Sequence, residues 1–150
     1  RETQGKKKWG GEVWGLGYTQ LPSLLLRAQN RLGLSSAQLN VLLHLCEFWW
    51  SLERRPYPSK AVIANRIGIE PKQVQRILRD LEKRGYIQRN PRYNGRAQTS
   101  NEFDLTGLSQ ALKKLAPEFK QVDDEARTAK RTVERKGGKN TFAAAASAKF

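Results

Sequence analysis

Methionine is absent from this 150-residue chain, and cysteine and histidine occur once each. With no methionine, the chain is expected to begin after its initiator or to lack one. A single cysteine, Cys46, excludes an internal disulfide. With no signal-peptide pattern either, the expected location is a reducing, bacterial-type cytoplasm. No apolar run approaches the roughly 20 residues that a membrane-spanning helix needs, so a membrane partner is not expected. Negative charge is also scarce: 14 Asp and Glu stand against 28 Lys and Arg, leaving a net charge of +14.

Catalytic chemistry has little to work with. His44, the only histidine, lies inside a leucine-rich stretch, where a packed or half-exposed role fits better than catalysis. Cys46 is two residues away, but two ligands do not close a metal site. No Gly-rich loop ends in Lys-Ser or Lys-Thr, which excludes nucleotide hydrolysis of that type. The acidic run Asp123-Asp124-Glu125 reads as a solvated helix face. The chain is therefore expected to be neither an enzyme nor a holder of metal or cofactor.

The excess of positive charge points to a polyanionic partner, because Lys and Arg on phosphates release counterions. The length suits one domain with tails, and 38% hydrophobic residues suffice for one modest core. Residues 1–17 read as a basic arm in extended conformation, with Trp9 and Trp14 among Gly10, Gly11, Gly15 and Gly17. Pro22-Ser23 opens a short helix from Leu24 to Leu32, ended by Gly33. Ser35 or Ser36 then caps a longer helix reaching about Leu52. Two of its stripes are apolar: Leu39, Leu42, Leu43, Cys46, Trp49 and Trp50 on one, Val41, Leu45, Phe48 and Leu52 on another. Arg54 to Pro58 is a turn.

Residues 59–105 carry the clearest motif. Ser59 caps a helix from Lys60 to Ile67, Gly68-Ile69-Glu70 make a tight turn, and Pro71 opens a second helix that stops at Gly85. Small Ala64 at the crossing, Gly68 in the turn, and Ile63, Ile67, Ile69, Val74, Ile77 and Leu78 inward meet the needs of a helix-turn-helix. Two strands follow, Tyr86 to Arg89 and Glu102 to Leu105, joined through the turn signal Asn94-Gly95. At about 100° per residue, Val74, Ile77, Leu78 and Leu81 face one way on the second helix, and Lys72, Arg76, Arg79 and Lys83 face the opposite way. Arg reads guanine bidentately and Gln reads adenine, so Lys72, Gln73, Gln75 and Arg76 are expected to reach bases. Arg79 and Lys83 are expected on phosphates, and Lys60 from the first helix is expected to contact DNA as well. The hairpin tip, with Arg92, Tyr93, Asn94 and Arg96, suits phosphate or minor-groove contact.

The C-terminal region 108–136 shows a heptad-like stripe: Leu108, Leu112, Leu115, Phe119, Val122, Ala126, Ala129 and Val133, interrupted by Pro117. It is a candidate dimerisation surface, with Arg127, Lys130, Arg131, Arg135 and Lys136 available to flanking phosphates. Residues 137–150 form a Gly/Ala-rich tail. The fold class expected is mainly α with a small β-hairpin: a winged helix-turn-helix over residues 18–107, with extra N-terminal and C-terminal helices.

The stretch from Gly17 to Leu105 resembles the winged-helix domains of phage and plasmid replication proteins, especially the amino-terminal domain of phage replication protein O. Gly17-Tyr18-Thr19-Gln20-Leu21-Pro22, Trp49-Trp50, Pro58-Ser59-Lys60, Ile63-Ala64, Ile67-Gly68, Val74-Gln75-Arg76 and Leu81-Glu82-Lys83-Arg84-Gly85-Tyr86-Ile87 carry the likeness. The last of these segments also occurs in bacterial winged-helix transcription regulators. The residues and the resemblance together lead to a sequence-specific binder of double-stranded DNA, acting as a homodimer in transcriptional regulation. The alternative is an origin-binding protein of a phage, plasmid or other mobile element, working with replication machinery. A protein–protein adaptor is the third reading.

Overall fold

A computed structural model describes residues 3–135 and 137. Lys136 and the tail expected over residues 138–150 lie outside the described residues. The glycine-rich start is helical, which corrects the extended arm. Thr3 Oγ1 accepts the N–H of Lys6 at 3.3 Å and caps α1 (Gln4–Trp9). Gly10, at φ 87°, turns the chain into α2 (Gly11–Gly15). The Trp14 ring fills the space where any side chain on Gly5 would stand, and it stacks on Tyr18 at 4.5 Å and 5°. Gly5 thus serves helix–ring packing, and Gly10 the turn between the two helices.

Helix α3 (Ser23–Arg27) is shorter than the expected Leu24–Leu32 helix. Turns carry the chain on to Gly33, and Leu25, Ala28, Leu32 and Leu34 are buried along the way. Ser35 caps α4 (Ser36–Glu47) through a capping box with Gln38. This helix ends at Glu47, short of Leu52. Phe48 and Trp49 donate to the carbonyls three residues back, Leu45 and Cys46, tightening the last turn, and Ser51 bridges to Arg54. Trp50 and Leu52 therefore stand exposed instead of continuing an apolar face, while Leu39, Val41, Leu42 and Leu45 enter the core.

Ser59 Oγ accepts the Val62 N–H at 3.1 Å and caps α5 (Lys60–Ile67). Gly68 takes the left-handed conformation, φ 84°, that lets the chain reverse into α6 (Pro71–Lys83). Ile63 and Ala64 of α5 and Val74, Leu78 and Leu81 of α6 are buried together with the α4 leucines. A hairpin follows. Strand β1 (Gln88–Asn90) pairs antiparallel with β4 (Glu102–Asp104), Arg89 opposite Phe103. Within it, β2 (Tyr93–Asn94) pairs with β3 (Ala97–Gln98) around a turn whose first central residue is Gly95, φ 65°. The strands are shorter than expected: Ile87 and Leu105 are core residues just outside the ladder, and Tyr86 donates its hydroxyl to Leu32 O at 2.6 Å.

The long helix α7 (Thr106–Glu134) runs through Pro117 without breaking. Proline removes one N–H, but this stretch is exposed, so water can satisfy the freed carbonyl. The chain divides between Leu112 and Lys113 into two compact units. In the first, Gly107 lies so close to the Gly85 carbonyl that a Cβ there would overlap it, and Leu108 N–H bonds Tyr86 O at 2.9 Å. In the second, no described residue is buried. The architecture is mainly helical with small antiparallel hairpins, the arrangement of a winged helix-turn-helix.

Candidate nucleic-acid interface

The core fixes which face of α6 meets solvent. With Val74, Leu78 and Leu81 inward, Lys72, Arg76, Arg79 and Lys83 are exposed on the other side. The ends of this line are eleven positions apart, about 16 Å along the helix axis, against a major groove about 12 Å wide. None of the four cations is paired with a carboxylate among the described residues.

The two carboxylates of α6 are engaged elsewhere. Asp80 accepts from Gln38 Nε2 of α4 and pairs with Arg84 Nε at 3.3 Å, and Arg84 in turn donates to Gly33 O. Glu82 accepts from the Arg89 backbone N–H and Nε, each at 2.9 Å. That side-chain hydrogen bond, chiefly, holds the Glu82 carboxyl below its ordinary range. These bonds orient α6 on α4 and on the wing, and they keep negative charge from standing free beside the cationic line.

The expected base-reading residues do not all stand alike. Lys72 and Arg76 are exposed. Gln75 is half-buried and accepts from Lys60 Nζ at 3.4 Å, so the start of α5 is tied to α6. Gln73 Oε1 accepts the Glu70 N–H at 3.3 Å, and its amide serves the helix start. In the wing, Arg96 occupies the tip turn, with exposed Asn94 and Tyr93 beside it. Arg92 is not at the tip, which corrects the sequence expectation. It is half-buried, and its guanidinium lies 3.9 Å from the Tyr57 ring centroid. The partner, Tyr57, was missed in the sequence, although its setting between Pro56 and Pro58 marks a rigid loop.

The wing is anchored on this same loop. Phe103 N–H bonds Pro56 O at 2.8 Å, and Ser100 Oγ donates to Tyr57 O at 3.0 Å. Arg55 pairs with Glu102 at 2.9 Å and Asp104 at 3.4 Å, so one guanidinium bridges both acids of β4. Asp104 also accepts from the Thr106 hydroxyl and backbone N–H at the start of α7, which with Arg55 keeps its carboxyl low. At the far side of α4, Arg66 pairs with Glu47 at 3.0 Å and lies over Phe48 at 4.6 Å. His44 is half-buried, and burial, then Arg66, lowers its pKa; burial pushes the Cys46 thiol up to about 11. Among the described residues no three His, Cys, Asp or Glu side chains gather to hold a metal, and no helix is long and apolar enough to cross a membrane.

The model of the DnaD N-terminal domain family matches residues 21–124. The crystal structure of the N-terminal domain of DnaD protein from Geobacillus kaustophilus HTA426 superposes with a TM-score of 0.53 at 21% identity, covering 85% of this chain and 99% of that one. A MarR-family transcriptional regulator from Rhodococcus sp. RHA1 aligns at 17% identity and a TM-score of 0.41, covering 85% and 88%. Among curated proteins none matches the chain in sequence.

Proposed function

We propose that this chain, which belongs to the DnaD N-terminal domain family, binds double-stranded DNA, with α6 in the major groove and the wing on the backbone or in the minor groove. The observation that carries this reading is the outer face of α6. Four exposed cations, unpaired among the described residues, stand opposite a buried apolar face, and both carboxylates of the helix are occupied elsewhere. A solvated helix face ordinarily mixes signs; this one does not.

In this reading Arg76 and Lys72 reach base edges, and Arg79 and Lys83 hold phosphates. Gln75 reads a base with Lys60 braced against it. Gln73 takes part only by releasing the Glu70 N–H. Arg96 and Asn94 meet the backbone from the wing tip, and Arg92 from its base. No metal, cofactor or catalytic group is required, and the protein acts as a homodimer in the bacterial cytoplasm.

A transcription regulator and an origin-binding initiator share this surface and differ in partner. The family match, together with the resemblance of Gly17–Leu105 to replication-protein winged helices, supports the initiator role. The test is fluorescence anisotropy on labelled duplexes across a salt series, after selection from a random duplex pool. Affinity should fall with salt with a log–log slope of about −0.9 per phosphate contacted. A chain without salt-dependent duplex affinity is a protein adaptor instead. Selected sites that recur within an origin support the initiator role, and sites at promoters support the regulator.

A further inference from the structure

The loop after α4 carries more aromatic surface than the fold uses. Trp50 is 83% exposed, Tyr57 is exposed as well, and Phe48 is half-buried. These rings, with Arg54, Arg55 and Pro58, line an open groove of about 440 Å³, and among the described residues no carboxylate lines it. Cations are already seated on two of the rings: Arg92 over Tyr57 and Arg66 over Phe48. Arg54 forms no ion pair among the described residues, whereas Arg55 is fixed by Glu102 and Asp104.

Flat apolar rings interleaved with guanidinium groups complement a ligand that is itself planar and anionic by turns. An unpaired nucleic-acid strand is such a ligand: its bases stack on aromatic faces and its phosphates meet arginine. An acidic peptide would satisfy the arginines but give the rings no planar partner. A second copy, with 14 Asp and Glu against 28 Lys and Arg, would offer few carboxylates to an arginine-lined wall.

We propose that the groove at the base of the wing binds single-stranded DNA, with one base stacked on Trp50, the next against Tyr57, and the phosphate between them at Arg54. The site extends the duplex-binding reading, since Arg92 serves both, but it is tested on its own ligand. A winged helix with such a groove holds a duplex and an adjoining unpaired strand together, as a duplex-to-single-strand junction requires.

The experiment is anisotropy of the full chain with a labelled oligothymidine of about 12 nucleotides, beside a labelled duplex. The chain should bind the oligothymidine, and Trp50→Ala should weaken that binding about fivefold or more while leaving duplex affinity and melting temperature unchanged. Trp50→Phe should keep most of the affinity, and Arg54→Ala should flatten its salt slope. Equal affinity of wild type and Trp50→Ala for the oligothymidine overturns the proposal. So does a wild-type chain that binds duplex and not the single strand, which leaves the duplex reading standing. Oligothymidine binding that Trp50→Ala weakens, in a chain without duplex affinity, supports the groove and removes the duplex reading. Light scattering that finds a wild-type dimer and a Trp50→Ala monomer makes the patch a self-association face. Polyglutamate binding lost in Trp50→Ala, with oligothymidine binding retained, makes it a peptide site; both outcomes overturn the proposal.

Discussion

Arg76 stands midway along the exposed cationic line of α6 and has no acidic partner among the described residues. Arg76→Ala is therefore expected to leave melting nearly unchanged while costing about 1–3 kcal/mol on the preferred duplex and relaxing choice at one base pair. Competition between matched and random duplexes measures both. Equal weakening on the two makes Arg76 a phosphate contact. Asp104 and Glu82 set a different, pH-dependent property of the same surface. Hydrogen bonds from Thr106 and Arg89 stabilise their ionised forms in the fold and depress both pKa values. A depressed folded-state pKa adds stability above the ordinary carboxylate range and loses it as pH falls through the lowered values. Thermal unfolding followed downward in pH should thus show acid destabilisation, and Asp104→Asn should reduce that dependence. Asp104→Asn with an unaltered pH profile would remove Asp104 from the account.

At the scale of elements, the junction between the wing's last strand and α7 is tight because two glycines meet there. Gly107→Ala has to push α7 off the Gly85 carbonyl, and overpacking of this kind costs about 1–3 kcal/mol. Urea unfolding should register the loss; a melting curve like that of wild type would mean that the helix start shifts freely. The elements α5 and α6 were legible in the sequence because their boundaries are written locally: Ser59 as cap, Gly68 at positive φ, Pro71 at the second start, Gly85 past the end. The cationic line was legible for the same reason, since helical periodicity alone assigns Lys72, Arg76, Arg79 and Lys83 to one face. The end of α4 was not, because Trp49, Trp50 and Leu52 continue an apolar pattern that has no core left to face. The helices of the arm were hidden by their glycines, of which Gly5 makes room in the fold for Trp14. The stacking of Arg92 on Tyr57 and the capture of Asp80 by Gln38 depend on contacts across the chain that no local pattern records.

For the whole molecule the open matter is what covers the apolar stripe of α7 beyond Leu112. Leu115 and Phe119 are half-buried, but Val122 is 57% and Val133 82% exposed, and the stripe keeps its heptad spacing through Ala126 and Ala129. Heptad spacing on a stretch of helix with no buried residue among those described beyond Leu112 is the pattern of a two-stranded seam. Its alanines bury little area, so pairing through it is expected to be weak alone and to gain from DNA that holds two copies side by side. In a dimer the two α6 helices would read half-sites about 34–36 Å apart. Truncation after Phe119 removes most of the seam together with Arg127, Lys130, Arg131 and Arg135. The truncated chain is expected to scatter light as a monomer, to lose affinity for a palindromic site while keeping half-site affinity, and to show a shallower salt slope because phosphate-reaching cations are gone. A truncated chain with wild-type mass and wild-type full-site affinity would exclude the stripe as the interface. A wild-type chain that stays monomeric both alone and on a palindrome would exclude the dimer itself, and α6 and the wing would then have to find their site as a single copy.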